Sequence, residues 1–284
     1  MQLLDGKSLS QKILASLRQE VETLPSPPRL DIVLVGSDSA SLKYTQMKQK
    51  TAADVGITGE IHQFPDSATN EQIISQINQL NKDPQVTALM VQLPLPPQID
   101  RQAVLNAIDP QKDADGLTPQ NLGLLFQKDP SALVSATPMG IIKLLEEYQI
   151  EFSGKNAVIL GRSSIVGIPL FALLTNKNAT VTLCHSHTQE LPQIISTADI
   201  LISAVGKPNF LTSDIVPQNI VLVDVGTNYD QDGHLVGDFD FDSVSSSAAF
   251  ITPVPGGVGP MTIVSLLQNT VTIYKRSHHE NSTI

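Results

Sequence analysis

The chain has 284 residues, of which 41% are hydrophobic, and its formal net charge at pH 7 is −10. This length is enough for two domains of ordinary size. The negative charge argues against nucleic acid or an anionic membrane as a partner, and no apolar run is long enough to span a membrane. Cys184 is the single cysteine, which excludes an internal disulfide and favours the cytoplasm as the compartment.

Strand-like apolar runs alternate with helical patterns through the first half of the chain. Strands are predicted at 29–35, 60–64 and 86–91, and helices at 10–17, 41–55 and 69–80. Thr69 begins the third helix in a capping box with Gln72. On the second helix, Tyr44 and Lys48 are four residues apart and therefore share one face. Gln92 follows the third strand, and open α/β sheets bind ligands at the carboxyl ends of their strands.

A polar loop from 109 to 118 contains Asp113 and Asp115. An EF-hand calcium site is excluded, because the loop lacks acidic residues at the first and twelfth positions that such a site requires. The segment 228–233 fails the same test and predicts a hairpin turn instead. No metal site is therefore predicted.

A βαβ rhythm dominates the second half of the chain. A helix is predicted from Thr137 to Tyr148, with Thr137 as N-cap and Pro138 at the first position, and it marks the domain junction. Strands follow at 156–160, 180–184, 199–205 and 220–225, with helices at 165–176 and 189–197. This alternation predicts an α/β fold with a doubly wound parallel sheet.

The turn after the strand 156–160 predicts a phosphate-binding corner. The stretch 161–167, GRSSIVG, precedes a helix whose first N–H groups and dipole favour an anion. Ser163 replaces the second glycine of the usual G-x-G-x-x-G pattern, so an ordinary turn that binds nothing is the alternative.

The next strand, 180–184, ends without the acidic residue that would hold the ribose 2′-hydroxyl of NAD. Arg162 and Ser186, with a histidine on either side of Ser186, suit a 2′-phosphate instead. If a nicotinamide cofactor binds, the sequence therefore favours NADP over NAD. Solvated loop histidines are the alternative interpretation.

The segment 251–262, ITPVPGGVGPMT, is too rich in proline and glycine for a regular element and too apolar for a solvated linker. A rigid loop against a ligand is the better interpretation. A last amphipathic helix is predicted at 261–274, followed by a disordered tail from Ser277.

Eight stretches, in this order and at coherent spacing, resemble the bifunctional methylenetetrahydrofolate dehydrogenase/cyclohydrolase family over essentially the whole chain. They are VGSDSASLKYTQMKQK (35–50), VQLPLP (91–96), KDADGLTPQN (112–121), GRSSIVGIP (161–169), CHSHT (184–188), AVGKP (204–208), DVGTN (224–228) and TPVPGGVGPMT (252–262). The resemblance implies a homodimeric enzyme of one-carbon metabolism, with purine biosynthesis among the pathways it supplies.

The resemblance also implies two α/β domains with a cleft between them. These are a folate-binding catalytic domain, 1–136 plus 261–284, and an NADP-binding, Rossmann-type domain, 137–260. Methylenetetrahydrofolate would give a hydride to NADP⁺, and water would open the resulting methenyl cation to 10-formyltetrahydrofolate. Three alternatives remain: a member with the dehydrogenase activity alone, an NADP-dependent dehydrogenase of another small substrate, and a non-catalytic folate- or nucleotide-binding protein.

The site residues are carried over from the family's motifs. The implied catalytic residues are Lys48 as general acid/base, Gln92 to orient it, Tyr44 to position the folate, and Asp115 to accept N–H bonds from the pterin. Tyr44, Gln92 and Asp115 would also bind substrate, together with Pro255, Gly256, Gly257 and Thr262. The implied cofactor-binding residues are Gly161, Arg162, Ser163, Ile165, Ser186 and Thr227. The family usually has Ile at the position of Thr227.

Overall fold

The computed structural model describes residues 1–280. Within them, the helices are α1 Gly6–Glu22, α2 Ser39–Asp54, α3 Asn70–Lys82, α4 Arg101–Asn106, α5 Pro119–Phe126, α6 Ala136–Glu147, α7 Gly167–Asn176, α8 Leu191–Ile195, α9 Phe241–Val244 and α10 Val258–Glu280. The strands are β1 Gln2–Leu3, β2 Leu30–Val35, β3 Ile61–Phe64, β4 Ala88–Val91, β5 Asn156–Leu160, β6 Thr180–Cys184, β7 Ile200–Ser203, β8 Ile220–Asp224, β9 Asn228–Tyr229, β10 Leu235–Val236 and β11 Ala248–Ile251.

Two compact units make up the chain. The six-stranded unit comprises Met1–Gln11, Leu125–Lys128 and Thr137–Thr262. The three-stranded unit comprises Lys12–Leu124, Asp129–Ala136 and the residues from Ile263 onward. Both units contain parallel sheets, which confirms the predicted α/β class.

The sheet of the three-stranded unit has the order β3-β2-β4, and its strands are parallel. Successive residues of β2 face opposite sides. Leu30 and Ile32 pack in a cluster with residues of α1, α2 and α10, whereas Val33 and Val35 pack with residues of α3 and α4. Helices therefore cover both faces, which explains why β2 is apolar at nearly every position.

The sheet of the six-stranded unit has the order β1-β11-β8-β7-β5-β6, and every neighbouring pair is parallel. Leu160 pairs with Cys184 of β6 on one side and with Ser203 of β7 on the other. The strand order thus reverses between β5 and β7. In doubly wound sheets, the carboxyl ends at such a reversal form the ligand-binding crevice.

Several elements differ from those predicted. α6 begins at Ala136, so Thr137 lies in the first helical turn and its prediction as N-cap is wrong. α10 continues to Glu280, so the predicted disorder is wrong for 277–280, whereas 281–284 lie outside the described residues. In the part of the chain that the structure describes, no helix is long and apolar enough to cross a membrane.

The first residues belong to the six-stranded unit. β1 pairs with β11, and the Leu4 N–H donates to the Ile251 carbonyl at 2.8 Å. The predicted boundaries place these residues in the folate-binding domain instead, together with 12–136 and 261–284. The predicted boundaries are those of functional domains, and the division of the chain into compact units does not test them. They stay a prediction.

Candidate active site

Lys48 lies on α2, which begins where the Asp38 carboxylate accepts from the Ser41 N–H at 2.7 Å. The Lys48 side chain is only 4% exposed. Its Nζ donates to Gln92 Oε1 at 3.0 Å and lies 4.7 Å from the centre of the Tyr44 ring. This hydrogen bond agrees with the role of orienting Lys48 that the resemblance implies for Gln92. The amide oxygen of Gln92 therefore holds Nζ without adding a charge beside it.

Gln92 owes its position to the end of β4. Its backbone N–H donates to the Val33 carbonyl at 2.8 Å, which extends the sheet by one residue. Its side-chain Nε2 donates to the Leu93 carbonyl at 2.6 Å. Because the amide nitrogen is held there, Oε1 is directed toward Lys48.

Asp115 lies in a turn that neighbouring polar groups build. Asp113 Oδ2 accepts from the Thr118 N–H at 2.8 Å and from Asn121 Nδ2 at 3.0 Å. Gly116 has φ +63°, and a Cβ there would lie 2.6 Å from the Ser135 nitrogen, so only glycine fits the turn. Asp115 is half-buried in this turn.

Lys48 and Asp115 influence each other's ionisation. Burial lowers the pKa of Lys48 from its usual 10.5, and the negative charge of Asp115 opposes this shift. Burial raises the pKa of Asp115 above its usual 3.8, the charge of Lys48 opposes the rise, and the charge of Asp113 adds to it. Burial therefore brings both groups closer to the neutral form, as is typical of acid/base sites.

The turn after β5 fits a dinucleotide phosphate. The Gly161 N–H donates to the Cys184 carbonyl at 3.0 Å, which places the ends of β5 and β6 side by side. A Cβ on Gly167 would collide with the Gly161 carbonyl, so this glycine permits the close strand-to-helix turn. Ser163, in place of the second glycine, accepts from the Val166 N–H with Oγ at 3.2 Å. The serine hydroxyl thus holds Val166, the residue before α7, and the turn closes without the second glycine.

Ser186 lies in a closed loop after β6. The His185 N–H donates to Thr188 Oγ1 at 2.9 Å, and the Thr188 N–H donates to the His185 carbonyl at 2.9 Å. Ser186 and His187 are exposed, as is Arg162 after β5. Cationic and hydroxyl groups therefore lie at the carboxyl ends of neighbouring strands, a donor set that fits a 2′-phosphate.

The remaining predicted cofactor residues lie on the same unit. Thr227 is exposed in the segment after β8, and Ile165 is half-buried ahead of α7.

The loop 253–257 is held by its own backbone. The Gly257 N–H donates to the Pro253 carbonyl at 2.8 Å, and the Lys7 N–H donates to the Gly256 carbonyl at 2.8 Å. Pro255 is exposed at its tip. Thr262 follows on α10, with Oγ1 3.0 Å from Thr137 Oγ1. These bonds agree with a rigid loop that presents its tip outward.

Lys48 contacts both Tyr44 and Gln92, and the structure adds two groups to which the sequence analysis gave no role in the site. Met90 Sδ lies 3.7 Å from Lys48 Nζ, because Met90 is two residues before Gln92 and therefore faces the same side of the chain. Asp113 shapes the turn of Asp115, and its position two residues earlier in DADG was the available signal.

An exposed acidic group lies on the β9–β10 hairpin, where Asp230, Asp232 and His234 are close enough to share a cation. Asp230 Oδ1 accepts from the Asp232 N–H at 2.9 Å and from the His234 N–H at 2.8 Å. These bonds close the predicted hairpin turn, and they account for the cluster without a ligand.

Known proteins match the chain over nearly its whole length. Residues 4–115 match the family model of the tetrahydrofolate dehydrogenase/cyclohydrolase catalytic domain, and 135–278 match that of its NAD(P)-binding domain. The bifunctional protein FolD of Wolinella succinogenes is 50% identical over 275 residues, which cover 95% of this chain and 96% of that protein.

Two solved structures are similar as well. The bifunctional FolD dehydrogenase/cyclohydrolase of Campylobacter jejuni has a TM-score of 0.95 and 42% identity, and the match covers 98% of this chain and 99% of that one. The Trypanosoma brucei dehydrogenase-cyclohydrolase, complexed with NADP cofactor and an inhibitor, has a TM-score of 0.91 and 37% identity, covering 96% and 97%. The chain therefore belongs to the tetrahydrofolate dehydrogenase/cyclohydrolase family.

Proposed function

We propose that the protein oxidises 5,10-methylenetetrahydrofolate to 5,10-methenyltetrahydrofolate with NADP⁺ and hydrolyses the product to 10-formyltetrahydrofolate. The observation that carries this proposal is the buried Lys48, held by Gln92 at 3.0 Å, in a chain of this family. A non-catalytic binding protein would not need a buried lysine. Lys48, Gln92 and Asp115 together with the Pro-Gly-Gly loop, and the match to the two family models, disfavour a dehydrogenase of another small substrate.

The hydrolysis needs a group that accepts a proton and returns it. Water adds to the methenyl carbon and loses one proton. The hydroxyl of this adduct then loses a second proton as its oxygen becomes the formyl carbonyl, while N5 gains a proton as its bond to that carbon breaks, so one proton is released overall. Burial already favours neutral Lys48, and the positive charge of the methenyl substrate disfavours the ammonium further. Lys48 can therefore take the proton from water and deliver it to N5, while Gln92 orients Nζ without adding charge.

Folate recognition is proposed for the substrate-binding residues that the family motifs indicate. The Asp115 carboxylate accepts N–H bonds from the amino-pyrimidine edge of the pterin, which presents adjacent donors. The Tyr44 ring packs beside the folate and helps to position it. Pro255, Gly256 and Gly257 contribute a rigid loop to substrate binding, and Thr262 adds a hydroxyl.

Cofactor binding is proposed for the carboxyl edge of the six-stranded sheet. NADP⁺ supplies the hydride acceptor when it is bound. The turn with Gly161 and Ser163 approaches the phosphates, with the start of α7 behind it. Arg162 and Ser186 hold the 2′-phosphate. Thr227 contacts the cofactor through its backbone, so the usual isoleucine side chain is not required.

Replacement of Arg162 by alanine is expected to reduce kcat/KM for NADP⁺ about tenfold or more and to leave NAD⁺ nearly unchanged, because only NADP⁺ has the phosphate that the guanidinium pairs with. Steady-state kinetics with both cofactors measure the ratio. Lys155→Ala is the control, since Lys155 precedes β5 at the opposite end of the strand. An unchanged ratio in Arg162→Ala would assign the phosphate to other residues.

The experiment that tests the proposed function gives the purified protein methylenetetrahydrofolate with NADP⁺ or NAD⁺. Nicotinamide reduction and methenyl absorbance are followed separately, and added methenyl substrate is tested for hydrolysis. Reduction without methenyl build-up, together with hydrolysis, is the expected result. Persistent methenyl accumulation would indicate a member with dehydrogenase activity alone, and folded protein that reduces neither cofactor would rule out the dehydrogenase.

We also propose a cytoplasmic homodimer, on the basis of the family resemblance and of the single, buried Cys184. Light scattering is expected to give twice the chain mass of 30.6 kDa. A mass equal to one chain at assay concentrations would contradict the dimer.

A further inference from the structure

The loops after β7 and β8 lie beside the cofactor crevice. The strand order reverses between β5 and β7, and a dinucleotide lies across such a reversal. Since the end of β6 receives the adenosine ribose, the other half of the cofactor lies toward β7 and β8. The segments 204–207 and 225–228 follow these two strands. They are therefore placed to receive the nicotinamide half.

The fully buried carboxylate of Asp238 accepts hydrogen bonds from both segments. Asp238 is 0% exposed. Its Oδ2 accepts from Ser203 Oγ at 2.8 Å and from the Val205 and Gly206 N–H groups at 2.8 and 3.3 Å. Its Oδ1 accepts from the Lys207 N–H at 3.0 Å and from Asn228 Nδ2 at 3.0 Å. All five contacts are donated to the carboxylate, so both oxygens act as acceptors.

A second buried carboxylate fixes Asp238 itself. Asp224 Oδ1 accepts from the Gly226 and Asp238 N–H groups at 2.8 and 2.9 Å, and Oδ2 accepts from the Phe239 N–H at 2.9 Å. Thr227 thus lies between Gly226, bonded to Asp224, and Asn228, bonded to Asp238. The backbone of Thr227 is held on both sides, whatever its side chain.

We propose that Asp238 is a positioning residue of the dehydrogenase, which shapes the 204–207 loop and the Thr227 segment for the nicotinamide half of the cofactor. The proposal rests on the proposed function. Asp238 acts through these segments, so it is not a catalytic residue. Three consecutive backbone N–H groups, 205–207, form an anion-binding concavity. The Asp238 carboxylate occupies this concavity from inside the protein. These three N–H groups therefore cannot bind the cofactor phosphates, and the turn after β5 binds the phosphates instead.

The charge of Asp238 is essential to this role. An amide of the same size would turn one NH₂ group toward backbone N–H donors, and part of the loop would lose its acceptor. The 204–207 loop would then sample other shapes. The hydrolysis should be spared, because Lys48, Gln92 and Asp115 lie in the other unit.

The test is Asp238→Asn, with NADP⁺ affinity measured by calorimetry without folate, KM for NADP⁺ in the dehydrogenase assay, and the hydrolysis rate of added methenyl substrate. NADP⁺ affinity is expected to fall about tenfold or more, since hydrogen bonds to charged groups are among the stronger ones. Hydrolysis should stay within about twofold of wild type. Asp240→Asn is the matched control, because that carboxylate instead caps α9 at the Ser243 N–H.

Unchanged NADP⁺ affinity in a folded Asp238→Asn protein would overturn the proposal, and so would an equal loss of NADP⁺ affinity and hydrolysis. If this variant does not fold, Ser203→Ala and Asn228→Ala each remove one bond to Asp238. Both variants should raise KM for NADP⁺ several-fold and leave the hydrolysis rate unchanged. If neither variant raises KM for NADP⁺, the proposal is also overturned. Failure of the proposed function is separable, because wild-type protein would then bind NADP⁺ without reducing it.

Discussion

Replacement of Lys48 by methionine is expected to abolish the hydrolysis of methenyltetrahydrofolate and to leave folate binding in place. General acid/base groups contribute about 10²- to 10⁴-fold to a rate, so a loss of about 10³-fold or more is anticipated. Methionine has similar length and suits the site, because Met90 already contacts Nζ. The fold should persist, since a buried ammonium is itself unfavourable.

Stopped-flow decay of methenyl absorbance measures the hydrolysis, and titration with a folate measures binding. Lys50→Met is the control, because Lys50 lies on the same helix but is exposed. Retained hydrolysis in Lys48→Met would remove this lysine from the mechanism. A parallel loss of folate binding would show instead that Lys48 helps to hold the substrate.

The pH profile of hydrolysis supplies an independent check. Lys48 must be neutral to accept a proton, so the rate should rise with pH. Burial lowers the pKa of Lys48, and the rise should therefore be centred below the usual 10.5. Lys48→Arg should be inactive across this range, because a guanidinium keeps its proton. A flat profile corrected for the uncatalysed reaction would argue against proton transfer by Lys48.

Local signals explain which elements could be predicted. The Thr69–Gln72 capping box is present, with the Thr69 N–H donating to Gln72 Oε1 at 3.0 Å, because all its partners lie within one turn. The parallel strands β5 to β8 were also predictable, since β5, β7 and β8 are short apolar runs and β6, TVTLC, alternates threonine with apolar residues. β1 was not predictable, because it has only two residues and no periodicity of its own, and it forms by pairing with the edge of β11.

The residues of the candidate site were likewise predictable only where a local pattern places them. The spacing of Tyr44 and Lys48 follows from the helical period, and the place of Gln92 follows from the end of β4. The burial of Lys48 was not predictable, because a lysine on an amphipathic helix is ordinarily solvated. The contacts of Asp238 join residues up to 35 positions apart in the chain, and no local pattern indicates them.

Replacement of Asp115 by alanine is expected to raise KM for methylenetetrahydrofolate about 100-fold and to change NADP⁺ affinity little. Two charge-assisted hydrogen bonds to the pterin would be lost, each of about 1.5 kcal/mol or more. Calorimetry with folate and with NADP⁺ separates the two effects. Asp115→Asn keeps the size but replaces an acceptor oxygen by a donor, so it should weaken folate similarly. Equal losses for both ligands would indicate a folding defect.

The pH dependence of folate affinity ties this effect to the ionised carboxylate. Burial raises the pKa of Asp115 above its usual 3.8, whereas the pterin N–H donors bind the ionised form better. Folate affinity should therefore fall as the pH drops through a value above 3.8, and Asp115→Asn should lose that dependence because its amide does not titrate. If the wild type and Asp115→Asn show the same pH dependence, another group titrates, and Asp115 contacts the folate without carrying the charge that recognises it.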